Sequence, residues 1–164
     1  MIIRQDEYPD RTCEIWQPDD PRESASTEEL PLLCPSECRA VVLREGRRLL
    51  DNHGLYDWEV EIHQKARGWL GQCDRFQRSI GVAQHFVDAK PTFDIVQDLL
   101  LHEIAHTLTK GGHNFEWKRK YAELLASHFD AEKVAEFLDN DRYCRKYMDR
   151  LLGEVNITQP SSVA

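Results

Sequence analysis

The chain has 164 residues, 30% of them charged, and a net charge of −8. That length suits one domain with a hydrophobic core, and the acidic balance excludes a globally basic surface for nucleic acid. No apolar run reaches the roughly 20 residues needed to cross a bilayer.

The amino terminus, Met1-Ile2-Ile3-Arg4-Gln5-Asp6, lacks the basic-then-apolar pattern of a secretion signal. The expectation is a soluble, cytoplasmic, monomeric protein without membrane contact. Its five cysteines (Cys13, Cys34, Cys38, Cys73, Cys144) are odd in number and scattered, which reads as reduced thiols. Cys34-x-x-x-Cys38 has no second pair to make a metal knot, and buried or idle thiols are the simpler reading.

Residues 1–35 hold nine acids against Arg4, Arg11 and Arg22, together with Pro9, Pro18, Pro21, Pro31 and Pro35. Prolines at that density exclude a long helix or a central strand, so this is an acidic, extended arm. Ser36 is a natural N-cap for a helix over 37–53, with Val41, Val42, Leu49 and Leu50 on or near one side. Arg44, Glu45, Arg47 and Arg48 read as its solvated face, and Asn52-His53-Gly54 as its stop.

From Trp58 the apolar period becomes two (Trp58, Val60, Ile62), which marks a half-buried strand. A second segment over Lys65–Cys73 contains Gly68 and Gly71, which favour a turn, a bulge or close backbone approach. A third covers Ser79–Phe86 with Ile80 and Val82 alternating. The expectation is a three-stranded, mostly antiparallel sheet, with Ile80–Gln84 as its edge. A helix over 93–110 follows, apolar almost all round its wheel and therefore buried. Three more are expected over 114–128, 131–139 and 141–152, with Asp130 and Asp141 as caps. Residues 154–164 read as a frayed tail.

The buried helix carries His102-Glu103-Ile104-Ala105-His106, and Gly111-Gly112-His113 follows it. Residues four apart on a helix project from one face, so His102 and His106 can bite one divalent ion. Glu103, about 100° round the helix, can reach a water held beside them. A Gly-Gly break lets the chain turn back and bring His113 in as a third donor. Three imidazoles with a fourth position open describe a catalytic zinc site, which acidifies water to a pKa of about 7. Glu103 then serves as general base, and the sum is peptide-bond hydrolysis.

The third donor departs from two other zinc-protease patterns. Metzincins leave five residues between the second and third His, with Gly at the third of them. Here six intervene, and Thr109 stands at that place. A gluzincin-type site takes a downstream Glu, for which Glu123, and less well Glu116, is a stand-in. Ala126 occupies the position where that pattern wants Asp, which leaves His113 as the better choice.

His102-Glu103-Ile104-Ala105-His106 followed by Gly112-His113, Phe115 and Trp117 resembles the SprT-like zinc metalloproteases, the group that includes the Spartan proteases. Trp58, Leu70-Gly71-x-Cys73 and Arg78-Ser79-Ile80 are similar to that family's pattern as well. The resemblance spans roughly residues 36–128 and is strongest over 97–118. It implies His102, His106 and His113 as zinc ligands and Glu103 as the catalytic glutamate. Members of the family often add a zinc ribbon with paired Cys-x-x-Cys, which this sequence does not contain, so a minimal form is expected.

The expectation from residues and resemblance together is an α+β, zincin-like single domain over 36–153. It comprises an N-terminal helix, a small sheet, the buried motif helix and a helical C-terminal part. The expected activity is zinc-dependent endopeptidase on protein substrates presented as a strand along the sheet edge. DNA is a weaker candidate partner through Lys118-Arg119-Lys120 and Arg142-x-x-Arg145-Lys146 with Tyr143 and Tyr147. A non-catalytic DNA- or protein-binding module with a structural or degenerate zinc site is the alternative. Tyr121 and Arg78 are the weak candidates for oxyanion support.

Overall fold

The computed structural model describes residues 35–155. The acidic arm before Pro35, with Cys13 and Cys34, and the tail beyond residue 155 lie outside them. The chain forms α1 (Pro35–Asn52), β1 (Glu59–His63), β2 (Gly71–Asp74), β3 (Ser79–Ala83), α2 (Gln84–Asp88), α3 (Phe93–Leu108), α4 (Phe115–His128), α5 (Ala131–Asn140) and α6 (Met148–Glu154). A short 3-10 turn at Arg145–Tyr147 precedes α6. This is an α+β architecture in which α3 forms the centre.

Local chemistry sets most boundaries. Thr92 caps α3 by accepting from the Ile95 amide, Asn114 caps α4 through the Trp117 amide, and Asp130 caps α5 through the Lys133 amide. Helix α1 stops where Gly54, at φ +72°, takes a left-handed turn that other residues avoid. Pro35 opens α1, so Ser36 lies inside its first turn and not at its cap.

Helix α3 is buried continuously from Val96 to His106. Leu99, Leu100, Leu101 and Ile104 are essentially inaccessible, each contributing about 2 kcal/mol of burial. The sheet covers one side, and α1 and α4 pack against others.

The sheet order is β1-β3-β2, with β1 parallel to β3 and β2 antiparallel to it. The sheet is therefore mixed, where a mostly antiparallel one was expected. Residues 64–70 carry the chain across β3, and a tight turn then pairs β2 with β3. In that turn Asp74 Oδ1 accepts from the Phe76 and Gln77 amides at 2.9 Å each. Periodicity of two reports a pleated surface and is silent on strand direction.

Strand β3 is the central strand, not the edge, and all five of its residues are buried. Phe86 belongs to α2, not to the strand. The edges are β1 and β2.

Two other expectations change. Glu45 is buried, accepting from Gln97 Nε2 of α3 at 2.7 Å and from Arg48 Nε at 2.8 Å. A charge read as solvated therefore ties α1 to α3. The predicted helix over 141–152 is interrupted. Asp141 N-caps no following helix; it is the C-cap residue of α5 and starts a turn, accepting on Oδ1 from the Tyr143 amide at 2.8 Å and the Cys144 amide at 2.9 Å. Cys38, Cys73 and Cys144 are not in disulfides. No helix among the described residues is long and apolar enough to cross a membrane.

Candidate metal centre

His102 and His106 stand one turn apart near the end of α3. Beyond Thr109 the chain reverses through Gly111, whose φ of +88° again suits glycine, and His113 swings back toward the helix. Arg75, from the β2–β3 turn, fixes this reversal. Its guanidinium donates to the His106 carbonyl (2.5 Å from Nη2, 3.1 Å from Nε) and to the Thr109 carbonyl (2.6 Å from Nη2). A cation on the last carbonyls of a helix also complements its dipole. Lys118 Nζ donates to the His113 carbonyl.

The three imidazoles meet through their Nε2 atoms. His113 Nε2 lies 3.1 Å from His102 Nε2 and 3.2 Å from His106 Nε2. A tetrahedral zinc with bonds of 2.0–2.1 Å separates its nitrogens by about 3.3–3.4 Å. The donor set therefore fits such an ion with little adjustment. Among the described residues this is the one cluster of three or more possible ligands whose donor atoms all lie within 4.8 Å of one another.

Trp117 underlies all three rings, with centroid separations of 4.6, 5.0 and 4.4 Å from His102, His106 and His113. Tyr143 covers the outer face of His113, stacked at 3.7 Å and 7°.

Electrostatics favour neutral donors on two of the three. Burial, reinforced by His102, pushes His106 down to about 2 and His113 down to about 3. His102 differs. Burial opposes its charge, but Asp141, Glu103 and Asp98 outweigh that and raise its pKa.

Glu103 is 3% exposed, and its Oε2 has no hydrogen-bond partner. Burial, partly offset by His102, lifts it to about 7. Its carboxylate sits against Gly71 of β2, where an added Cβ would stand only 2.5 Å from Oε1. The close approach anticipated for this glycine is therefore made by Glu103.

Glu123 lies elsewhere. Its carboxylate pairs with Lys120 at 2.5 Å and Arg119 at 3.8 Å, and Glu116 is exposed. Tyr121 donates its hydroxyl to buried Asp98, and exposed Arg78 pairs with Asp57. Lys118 is buried, which removes it from the basic run proposed for DNA.

Asp141 is the neighbour that sequence reasoning missed. It is fully buried, with Oδ2 3.5 Å from His102 Nδ1. Its position after α5 reads equally well as a cap, and no local spacing links it to His102, 39 residues away.

Comparison with protein-family models, curated proteins and solved structures finds no match for this chain.

Proposed function

We propose that the protein is a zinc-dependent metalloendopeptidase with a zincin-like site of the SprT-like kind. The observation that carries the reading is the meeting of three Nε2 atoms beside a buried carboxylate that lacks a partner. A bare carboxylate oxygen in an apolar interior costs several kcal/mol, so a proton-carrying reactant at that point is its natural complement.

His102, His106 and His113 would hold the ion, and a zinc bound there would supply Lewis acidity toward a substrate carbonyl and a water. Glu103 Oε2 takes the proton of the attacking water and then delivers it to the leaving amine nitrogen. Burial raises the Glu103 pKa, which strengthens the carboxylate as a base for that proton.

The substrate is an extended protein segment laid along β2. That strand is an edge of the sheet, and its Gly71 touches the catalytic carboxylate. This replaces Ile80–Gln84 as the docking edge.

The test is cleavage of casein, or self-cleavage, by wild type and Glu103→Gln. The variant should keep its zinc and its fold while losing activity by at least about 100-fold. Undiminished cleavage by Glu103→Gln would sink the protease reading.

A further inference from the structure

Two buried atoms without hydrogen-bond partners face each other behind the triad. They are His102 Nδ1 and Asp141 Oδ2, 3.5 Å apart. Neither residue can turn away freely. His102 is wedged against Trp117 and Tyr121, at 4.6 and 5.4 Å between ring centroids. Asp141 is held by the two backbone amides, of Tyr143 and Cys144, that occupy its other oxygen.

An imidazole that offers its Nε2 lone pair to a metal must keep its proton on Nδ1. For His102 that proton points at a carboxylate oxygen with nothing else to accept.

We propose that Asp141 is a positioning residue for the metal centre, accepting from His102 Nδ1–H and so holding His102 in the metal-binding tautomer. The inference rests on the zinc reading above and deepens it. It gives the C-terminal helical part a role in the site. The turn after α5 supplies Asp141 behind one ligand and, two residues on, Tyr143 stacked on another. Carboxylates placed behind ligating histidines fix the ring and raise its basicity, and their loss weakens metal binding about 10–100-fold.

The experiment compares zinc affinity of the full chain, wild type against Asp141→Asn, by competition with a chromophoric chelator. The asparagine keeps an oxygen for the Tyr143 and Cys144 amides, so the turn survives. It replaces Oδ2 with an NH2 donor that opposes Nδ1–H and favours the tautomer with its proton on Nε2, where the metal binds. The expected result is an affinity about 10–100-fold weaker with apo-protein unfolding close to wild type.

Wild-type affinity in Asp141→Asn overturns the proposal, as does a lowered apo-protein stability with zinc affinity unchanged. If wild type itself takes up no zinc, the metal reading has failed, and the proposal with it. Should the asparagine variant not fold, proton NMR of zinc-loaded wild type decides. A His102 Nδ1–H resonance protected from exchange supports the contact with Asp141, and a rapidly exchanging one overturns it.

Discussion

Gly71→Ala places one methyl group against the proposed catalytic carboxylate. Its Cβ would stand 2.5 Å from Glu103 Oε1 and 2.9 Å from both Glu103 Cγ and Leu99 Cδ1. Ordinary contact begins near about 3.5 Å, so the carboxylate must retreat by about 1 Å. Leu99 is buried and cannot give way on the other side. Overpacking of this kind costs about 1–3 kcal/mol of stability. A 1 Å displacement of a reacting group costs far more in rate, on the order of 100-fold. The variant should therefore remain folded and zinc-loaded while casein cleavage drops about 100-fold. Circular dichroism, zinc content and initial cleavage rates measure the three quantities. Wild-type turnover in a folded Gly71→Ala protein would refute the placement of Glu103 against β2.

Arg75→Ala should loosen the chain reversal that delivers His113, because its guanidinium holds the His106 and Thr109 carbonyls. Hydrogen bonds from a charged donor are worth about 1.5–3 kcal/mol, and the side chain's partial exposure lowers this to about 1–2 kcal/mol. Denaturant unfolding should register that loss, together with weaker zinc binding; unchanged values of both would contradict the assignment. The His53–His128 ring pair, 5.8 Å apart, predicts a pH effect. Burial depresses both pKa values, with Lys120 adding to the effect on His53 and the His53 charge to that on His128. A depressed histidine stays neutral in the fold while the unfolded chain takes up protons. The stability it contributes is therefore complete above pH 6.5 and is lost as pH falls below that value. His128→Gln should flatten the fall in melting temperature below pH 6.5, and an unaltered slope would count against the pair.

The meeting of His102, His106 and His113 was legible because its signals are local. A four-residue spacing on one helix places His102 with His106, and a glycine-rich break allows His113 to return. The cap at Asp130 was legible for the same reason; those at Thr92 and Asn114 were not assigned from the sequence, which counted Asn114 inside its helix. What escaped depends on partners distant along the chain. Strand direction in the sheet follows from how residues 64–70 cross β3, which alternation at Val60, Ile62, Ile80 and Val82 does not encode. Glu45 sits in a run of charges and reads as solvent-facing until Gln97, 52 residues on, is seen to meet it. Asp141 uses one oxygen in a local turn that mimics a helix cap. Its second oxygen points to His102 on α3.

The zinc stoichiometry of purified wild type, His113→Ala and Glu123→Ala bears most directly on the triad. The account predicts one zinc per chain in wild type and in Glu123→Ala, with His113→Ala largely depleted at equal zinc exposure. Zinc retained by His113→Ala but lost by Glu123→Ala would contradict it.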